Sequence, residues 1–131
     1  MRIVLYFIAL VLVSSAHASD TNYGEHFKWK KRIIVLVADN QRNALMSEQV
    51  NIISAGESGL RERDVVVKQL FANEPKHAPL IKAYAVDKGF TFLLIGKDGK
   101  EKIRSNKAVN LSMLFAVIDA MPMRKIEMLG K

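Results

Sequence analysis

The side chains able to carry chemistry in this sequence are few and far apart. Cysteine is absent from all 131 residues. That removes thiolate nucleophiles, disulfides, thiolate zinc sites and iron–sulfur ligation together. The histidines are His17, His26 and His77. Their spacing matches no ligand pattern, and zinc takes three or four ligands. Met121, Met123 and Met128 lie near the C-terminus. Thioethers suit copper(I), but flexible methionines here are expected to fill gaps between the last helix and the sheet. Asp39, Asp64, Asp98 and Asp119 are scattered, and no histidine motif beside them completes an acid–base pair or a Ser-His-Asp arrangement. No catalytic, metal-binding or cofactor-binding residue is therefore assigned. The candidates for a functional surface are Arg32, Asp39, Arg104, Asp119 and Arg124. Asp119 and Arg124 flank Pro122 and are expected to form an ion pair that fixes the C-terminal tail, worth under about 1 kcal/mol if exposed.

Lysine and arginine number 20 against 13 acidic residues, a net charge of +7. Lys28, Lys30, Lys31 and Arg32 form a basic cluster that resembles a nucleic-acid patch in charge. No phosphate-binding glycine loop accompanies it. The N-terminus argues for a different compartment. Arg2 precedes an unbroken apolar run from Ile3 to Val13, and Ala16-His17-Ala18 follows as an A-x-A cleavage site. The run is shorter than the roughly 20 residues of a membrane-spanning helix. Residues 1–18 are read as a cleaved signal peptide, 19–28 as a flexible lead-in and 29–131 as the domain. An exported chain, periplasmic or secreted, does not meet nucleic acid. An unknown protein or an anionic envelope component remains as partner, with no transmembrane segment after cleavage. The export route leads to a compartment where disulfides form, so this domain must hold together without them.

The elements that position these residues follow from apolar patterning. Ile33 to Ala38 is a continuous apolar run, as in a central strand buried on both faces. Leu45, Gln49, Ile52 and Ile53 lie on one helical stripe, with Asn40 or Asp39 placed to cap it and Gly56 or Gly59 to end it. Val65 to Phe71 is a second strand. Pro79 fits the first turn of a short helix through Ala85. Phe90 to Ile95 and Glu101 to Arg104 are strands joined through Asp98-Gly99, a type I′ hairpin signal. Leu111, Leu114, Phe115, Val117 and Ile118 form the apolar face of a last helix that starts at Asn110 or Ser112 and ends at Met121-Pro122. The order β-α-β-α-β-β-α predicts an α/β fold, a thioredoxin-like three-layer sandwich with a mixed sheet of about four strands.

Particular segments also resemble a family. They are Phe27-Lys28-Trp29-Lys30-Lys31-Arg32, Arg63-Asp64, and Phe90-Thr91 with Leu94-Ile95-Gly96-Lys97-Asp98-Gly99. Arg104-Ser105, Ile118-Asp119-Ala120-Met121-Pro122-Met123-Arg124 and Glu127-Met128 complete the set. With them the sequence resembles the bacterial branch of the DUDES family, whose animal relatives are sushi-repeat and extracellular-matrix proteins. The resemblance implies an exported thioredoxin-like domain of unknown function.

That fold sets a test for redox chemistry. A thioredoxin-type site needs a low-pKa thiolate at the start of the first helix. The matching segment, Asp39-Asn40-Gln41-Arg42, has no sulfur, and Gly89-Phe90-Thr91 has no proline to face it. The expected role is a non-enzymatic binding or accessory module. The alternative is a redox or peroxide-related accessory that relies on a partner's thiol. N-terminal sequencing of the protein recovered from the envelope should read from Ser19. A recovered chain that still begins at Met1 would refute cleavage after Ala18.

Overall fold

A computed structural model of the protein describes residues 22–87 and 89–130. The expected signal peptide, 1–18, lies outside them. Four strands, β1 Arg32–Ala38, β2 Val65–Phe71, β3 Thr91–Ile95 and β4 Glu101–Ser105, form one mixed sheet in the order β2-β1-β3-β4. β1 runs parallel to β2, with Arg32 opposite Val65 and Ala38 opposite Phe71. It runs antiparallel to β3, with Ile33 opposite Ile95 and Val37 opposite Thr91. β3 and β4 are antiparallel neighbours. Every residue of β1 is buried. A strand covered on both faces needs apolar side chains at odd and even positions alike, which explains the unbroken run at 33–38.

The helices are α1 Tyr23–His26, α2 Ala44–Ala55, α3 Glu57–Glu62, α4 Ala78–Ala83, α5 Leu111–Asp119 and α6 Pro122–Leu129, with a 3₁₀ turn at Pro75–His77. Ile34, Leu36, Phe92 and Leu94 face Met46, Leu60, Leu114 and Ile118 from α2, α3 and α5. Ile33, Val35, Leu93 and Ile95 point the other way, onto Tyr23 and Phe27 near α1 and Leu80, Ile81 and Tyr84 near α4. The result is the expected three-layer α/β build, with the sheet between two helical layers.

Several local expectations change. Order begins earlier than a flexible lead-in over 19–28 would have it. Asn22 caps α1 by accepting from the Glu25 N–H, and the Tyr23 N–H donates to the Tyr84 hydroxyl at 2.7 Å. Gly24 is what allows α1 this close: a Cβ there would stand 3.0 Å from the Gly99 carbonyl oxygen. The chain then turns tightly, with the Lys30 and Lys31 N–H groups both donating to the Phe27 carbonyl. Phe27 packs on the core, whereas Trp29 remains 60% exposed.

Asn43 caps α2, accepting from the Met46 N–H at 3.0 Å, in place of Asn40 or Asp39. Asn40 instead accepts from the Arg42 N–H, closing a turn ahead of the helix. The hairpin is not type I′, because Gly99 at φ 82° has positive φ while Asp98 does not. A 96–99 turn closed by the Gly99 N–H to the Gly96 carbonyl, followed by that left-handed glycine and a register shift at Leu94/Ile95, is the longer bulged form. Pro79 does fall in the first turn of α4, which opens at Ala78. Finally, Pro122 does not end the helical region. α5 stops at Asp119, and Pro122 then opens α6, where its missing N–H is an orphan in any case.

Gln49 is the polar exception within α2. It is fully buried, its Nε2 donates to the Val109 carbonyl at 2.9 Å, and its Oε1 accepts from the Val109 N–H at 2.7 Å. This clamp fixes the entry to α5. Gln49→Leu should leave two buried backbone groups without partners and destabilise the fold by about 2 kcal/mol or more. A urea midpoint no lower than that of the exposed-site control Glu48→Ala would contradict the clamp.

Candidate functional site

The C-terminal end of β1 is where a thioredoxin-type thiolate would be sought. Here Asp39 Oδ1 accepts from the Asn40 N–H at 2.9 Å and from Asn43 Nδ2 at 3.0 Å. The hydrogen bond from Asn43, helped by the Asn40 N–H, holds the Asp39 carboxyl below the usual carboxylate range. A carboxylate so stabilised is a weak base and is poorly suited to general-base work near neutral pH. Gln41 is tied to Glu74 at 2.9 Å and to Asn73 at 3.0 Å. His77 accepts the Phe71 N–H at Nδ1, 2.9 Å, while His26 lies edge-on against Phe27. Among the described residues no group of three His, Asp or Glu side chains is arranged to hold a metal. Arg104 reaches from β4 to the Tyr84 carbonyl at 2.7 Å and grips Glu101 with two bonds of 2.9 Å. That closes the loop after α4.

The opposite end of the sheet is built differently. Arg32, the first residue of β1, is fully buried. Both of its Nη atoms donate to the Glu127 carboxylate at 3.1 Å, and Nη1 also donates to the Arg63 carbonyl at 2.8 Å. Lys97, 8% exposed at the end of β3, donates to Glu127 at 2.7 Å and to Asp64 at 2.8 Å. Arg63 clasps Asp119 through two bonds of 2.9 Å and lies 4.0 Å from the centroid of the Phe115 ring. Arg124, 1% exposed, donates to Asp119 and to Glu62, both at 3.0 Å. Its Nη1 lies 3.7 Å from Glu127, joining the two halves.

The electrostatics follow from these bonds. The hydrogen bond from Lys97 keeps Asp64 below its ordinary range, and that from Arg63 does the same for Asp119. Burial pushes Glu127 up, but Arg32 and Lys97 outweigh it and the carboxyl lies low.

Beside this network is a hollow of about 270 Å³, walled by Trp29, Arg32, Lys97, Lys102, Met121 and Met123. Trp29 is the single tryptophan. It adopts φ 69°, and its N–H donates to the Lys97 carbonyl at 2.6 Å. A bulky side chain in the left-handed region costs on the order of 1–3 kcal/mol, and such strain clusters at working sites. The three methionines do not converge on one point: Met121 packs on the core and lines the hollow with Met123, while Met128 is exposed.

Of the five sequence candidates, Arg32, Asp119 and Arg124 are brought together, while Asp39 and Arg104 stand apart from them. The expected Asp119–Arg124 pair is present, but it is no surface pair, because the guanidinium is buried. Trp29, Glu62, Arg63, Asp64, Lys97 and Glu127 were not among the candidates. All but Glu62 fall inside the segments that carry the family resemblance, and no apolar periodicity marks them.

Residues 25–127 match a family described as a domain of unknown function, DUF4174. The chain belongs to that family. No curated protein sequence matches it. In fold, this DUF4174 domain is similar to the reduced 2-Cys peroxiredoxin of Plasmodium vivax, with a TM-score of 0.61 and 13% identity over 78% of this chain and 83% of that one. It is also similar to Fasciola hepatica thioredoxin, with a TM-score of 0.56 and 18% identity over 74% and 86% of the two chains. Mycobacterium tuberculosis AhpC gives 0.53 and 11% over 69% and 68%. At these identities the likeness shows the fold alone: DUF4174 here is a thioredoxin-like domain without cysteine.

The low-lying carboxyls make a pH statement. Groups whose pKa is depressed on folding add stability above the ordinary carboxylate range, about 4, and lose it as pH falls through their folded values. The melting temperature should hold steady from about pH 7 to 5 and drop below about pH 4. Glu127→Gln should lower it at neutral pH and make the acid decline shallower. Parallel declines in both proteins would exclude Glu127 as a source of acid sensitivity.

Proposed function

We propose that the protein is an exported, non-enzymatic binding or accessory module on a thioredoxin-like scaffold. The observation that carries this reading lies at the start of α2. The position a thiolate would need is held by the Asn43 cap, and the loop before it is closed by its own hydrogen bonds. The polar groups that do converge lie at the other end of β1, around the buried ion pairs and the Trp29 hollow. Membership in the bacterial branch of the DUDES family is part of the proposal. It is supported by the segments quoted above, many of which meet at that end. The partner class proposed is an envelope protein or an anionic envelope component, in keeping with the basic run Lys28, Lys30, Lys31 and the net charge of +7.

A second reading draws on the likeness to a peroxiredoxin and a thioredoxin. In it the protein assists a partner that brings the thiol. One experiment separates the two. Hydrogen peroxide consumption is followed with the protein alone under dithiothreitol, and then with a thioredoxin-coupled thiol peroxidase in its presence and absence. The binding-module reading expects no activity alone and no change in the coupled rate. An increase of about tenfold, equal to about 1.4 kcal/mol of transition-state stabilisation, would replace it with the redox-accessory reading.

A further inference from the structure

We infer that the hollow beside Trp29 binds a small organic anion, a carboxylate or phosphate carried on a flat apolar body. This rests on the binding-module reading and assigns ligand chemistry to one site.

The wall contains an unmatched donor. Both Nη groups of Arg32 are engaged, but its buried Nε–H has no acceptor. A buried N–H is costly to leave without a partner. The acidic groups nearby are already matched: Glu127 and Asp64 hold Lys97 and Arg32, and Asp98 holds Lys102. What the wall lacks is therefore an acceptor, and a ligand that completes it is an anion. Met121 and Met123 belong to the same wall, and the unbranched thioether side chain of Met123, which is not part of the core, can turn aside to give access to Arg32.

Two further groups point to the same charge. α6 begins at this wall with Pro122 in its first turn and no side-chain cap, so its leading N–H groups are unclaimed by a cap. Lys102 places a further, partly exposed ammonium on the wall while it stays bonded to Asp98. The flat body is assigned from Trp29, whose backbone is fixed by the bond from its amide N–H to the Lys97 carbonyl and whose indole, 60% exposed on this wall, offers a stacking surface. The volume of about 270 Å³ lies just below the range of drug-sized pockets, about 300 Å³ upward, and suits a single-ring ligand.

Trp29 is the only tryptophan, so its fluorescence reports on the site directly. Benzoate and phenyl phosphate serve as probes on the purified protein, with inorganic phosphate and benzyl alcohol as half-ligands. Both probes should change the emission saturably, with half-effect at about 1 mM or below, and each half-ligand should bind at least about tenfold more weakly. Met123→Glu places a carboxylate in the first turn of α6, where the helix dipole favours it. That variant should keep its melting temperature and weaken both probes at least about tenfold. No saturable response up to about 10 mM, or equal binding by the folded variant, would overturn the assignment. Inorganic phosphate binding as well as phenyl phosphate would overturn the stacking role of Trp29. Failure here with peroxide chemistry still absent leaves the binding-module reading standing. Thiol-accessory activity with anion binding intact has the opposite meaning.

Discussion

Two guanidinium groups with almost no exposure, those of Arg32 and Arg124, govern how one end of this molecule is put together. A charge taken out of water must find opposite charge and hydrogen bonds, or the desolvation cost stands uncompensated. Arg32 cannot leave, because it opens a strand whose next six residues are buried. Glu127 must therefore come to it, and α6 comes with Glu127. Arg124 draws in Asp119 from α5 and Glu62 from α3 in the same way, and the buried ammonium of Lys97 draws in Asp64 from the start of β2. Five elements meet at one edge because three cations are committed to be inside.

This explains which parts of the structure were legible in the sequence. β1, β2 and β3 announce themselves through apolar runs, and α5 through a stripe from Leu111 to Ile118. These are the elements that the hydrophobic effect positions. α6 was invisible to the same reasoning. It is held by Arg124 and Glu127 while its apolar Ile126 and Leu129 stay exposed, so apolar patterning does not place it on the core, and Pro122 looks like a terminator when it is an opener. The exposure of Trp29 was equally out of reach of patterning. Aromatic residues are usually core, but the tight turn after Phe27 turns this one outward. The cap of α2 was misplaced by three or four residues, since Asp39, Asn40 and Asn43 all have capping chemistry and only backbone geometry chooses among them.

The two ends of β1 thus divide the molecule by character. At the C-terminal end, polar side chains satisfy one another and the loop is closed. At the N-terminal end, charges from distant parts of the chain are locked together, and the wall they form borders a hollow with an unmatched donor. Groups fixed by several bonds each lose little freedom when a ligand arrives, which favours recognition. The family resemblance gathers at this second end, in Trp29, Arg32, Arg63, Asp64, Lys97, Asp119, Arg124 and Glu127.

The ion network also limits how this sequence can drift. Changing any one member strands its partner, and a stranded buried charge is among the more damaging things a single substitution can create. Changing all members at once to apolar side chains of matching volume would give an edge at least as stable. The two sequences are both viable, yet no path of single viable steps connects them easily, since neighbours in one network do not act additively. The charged edge can be exchanged as a unit but not worn away piece by piece.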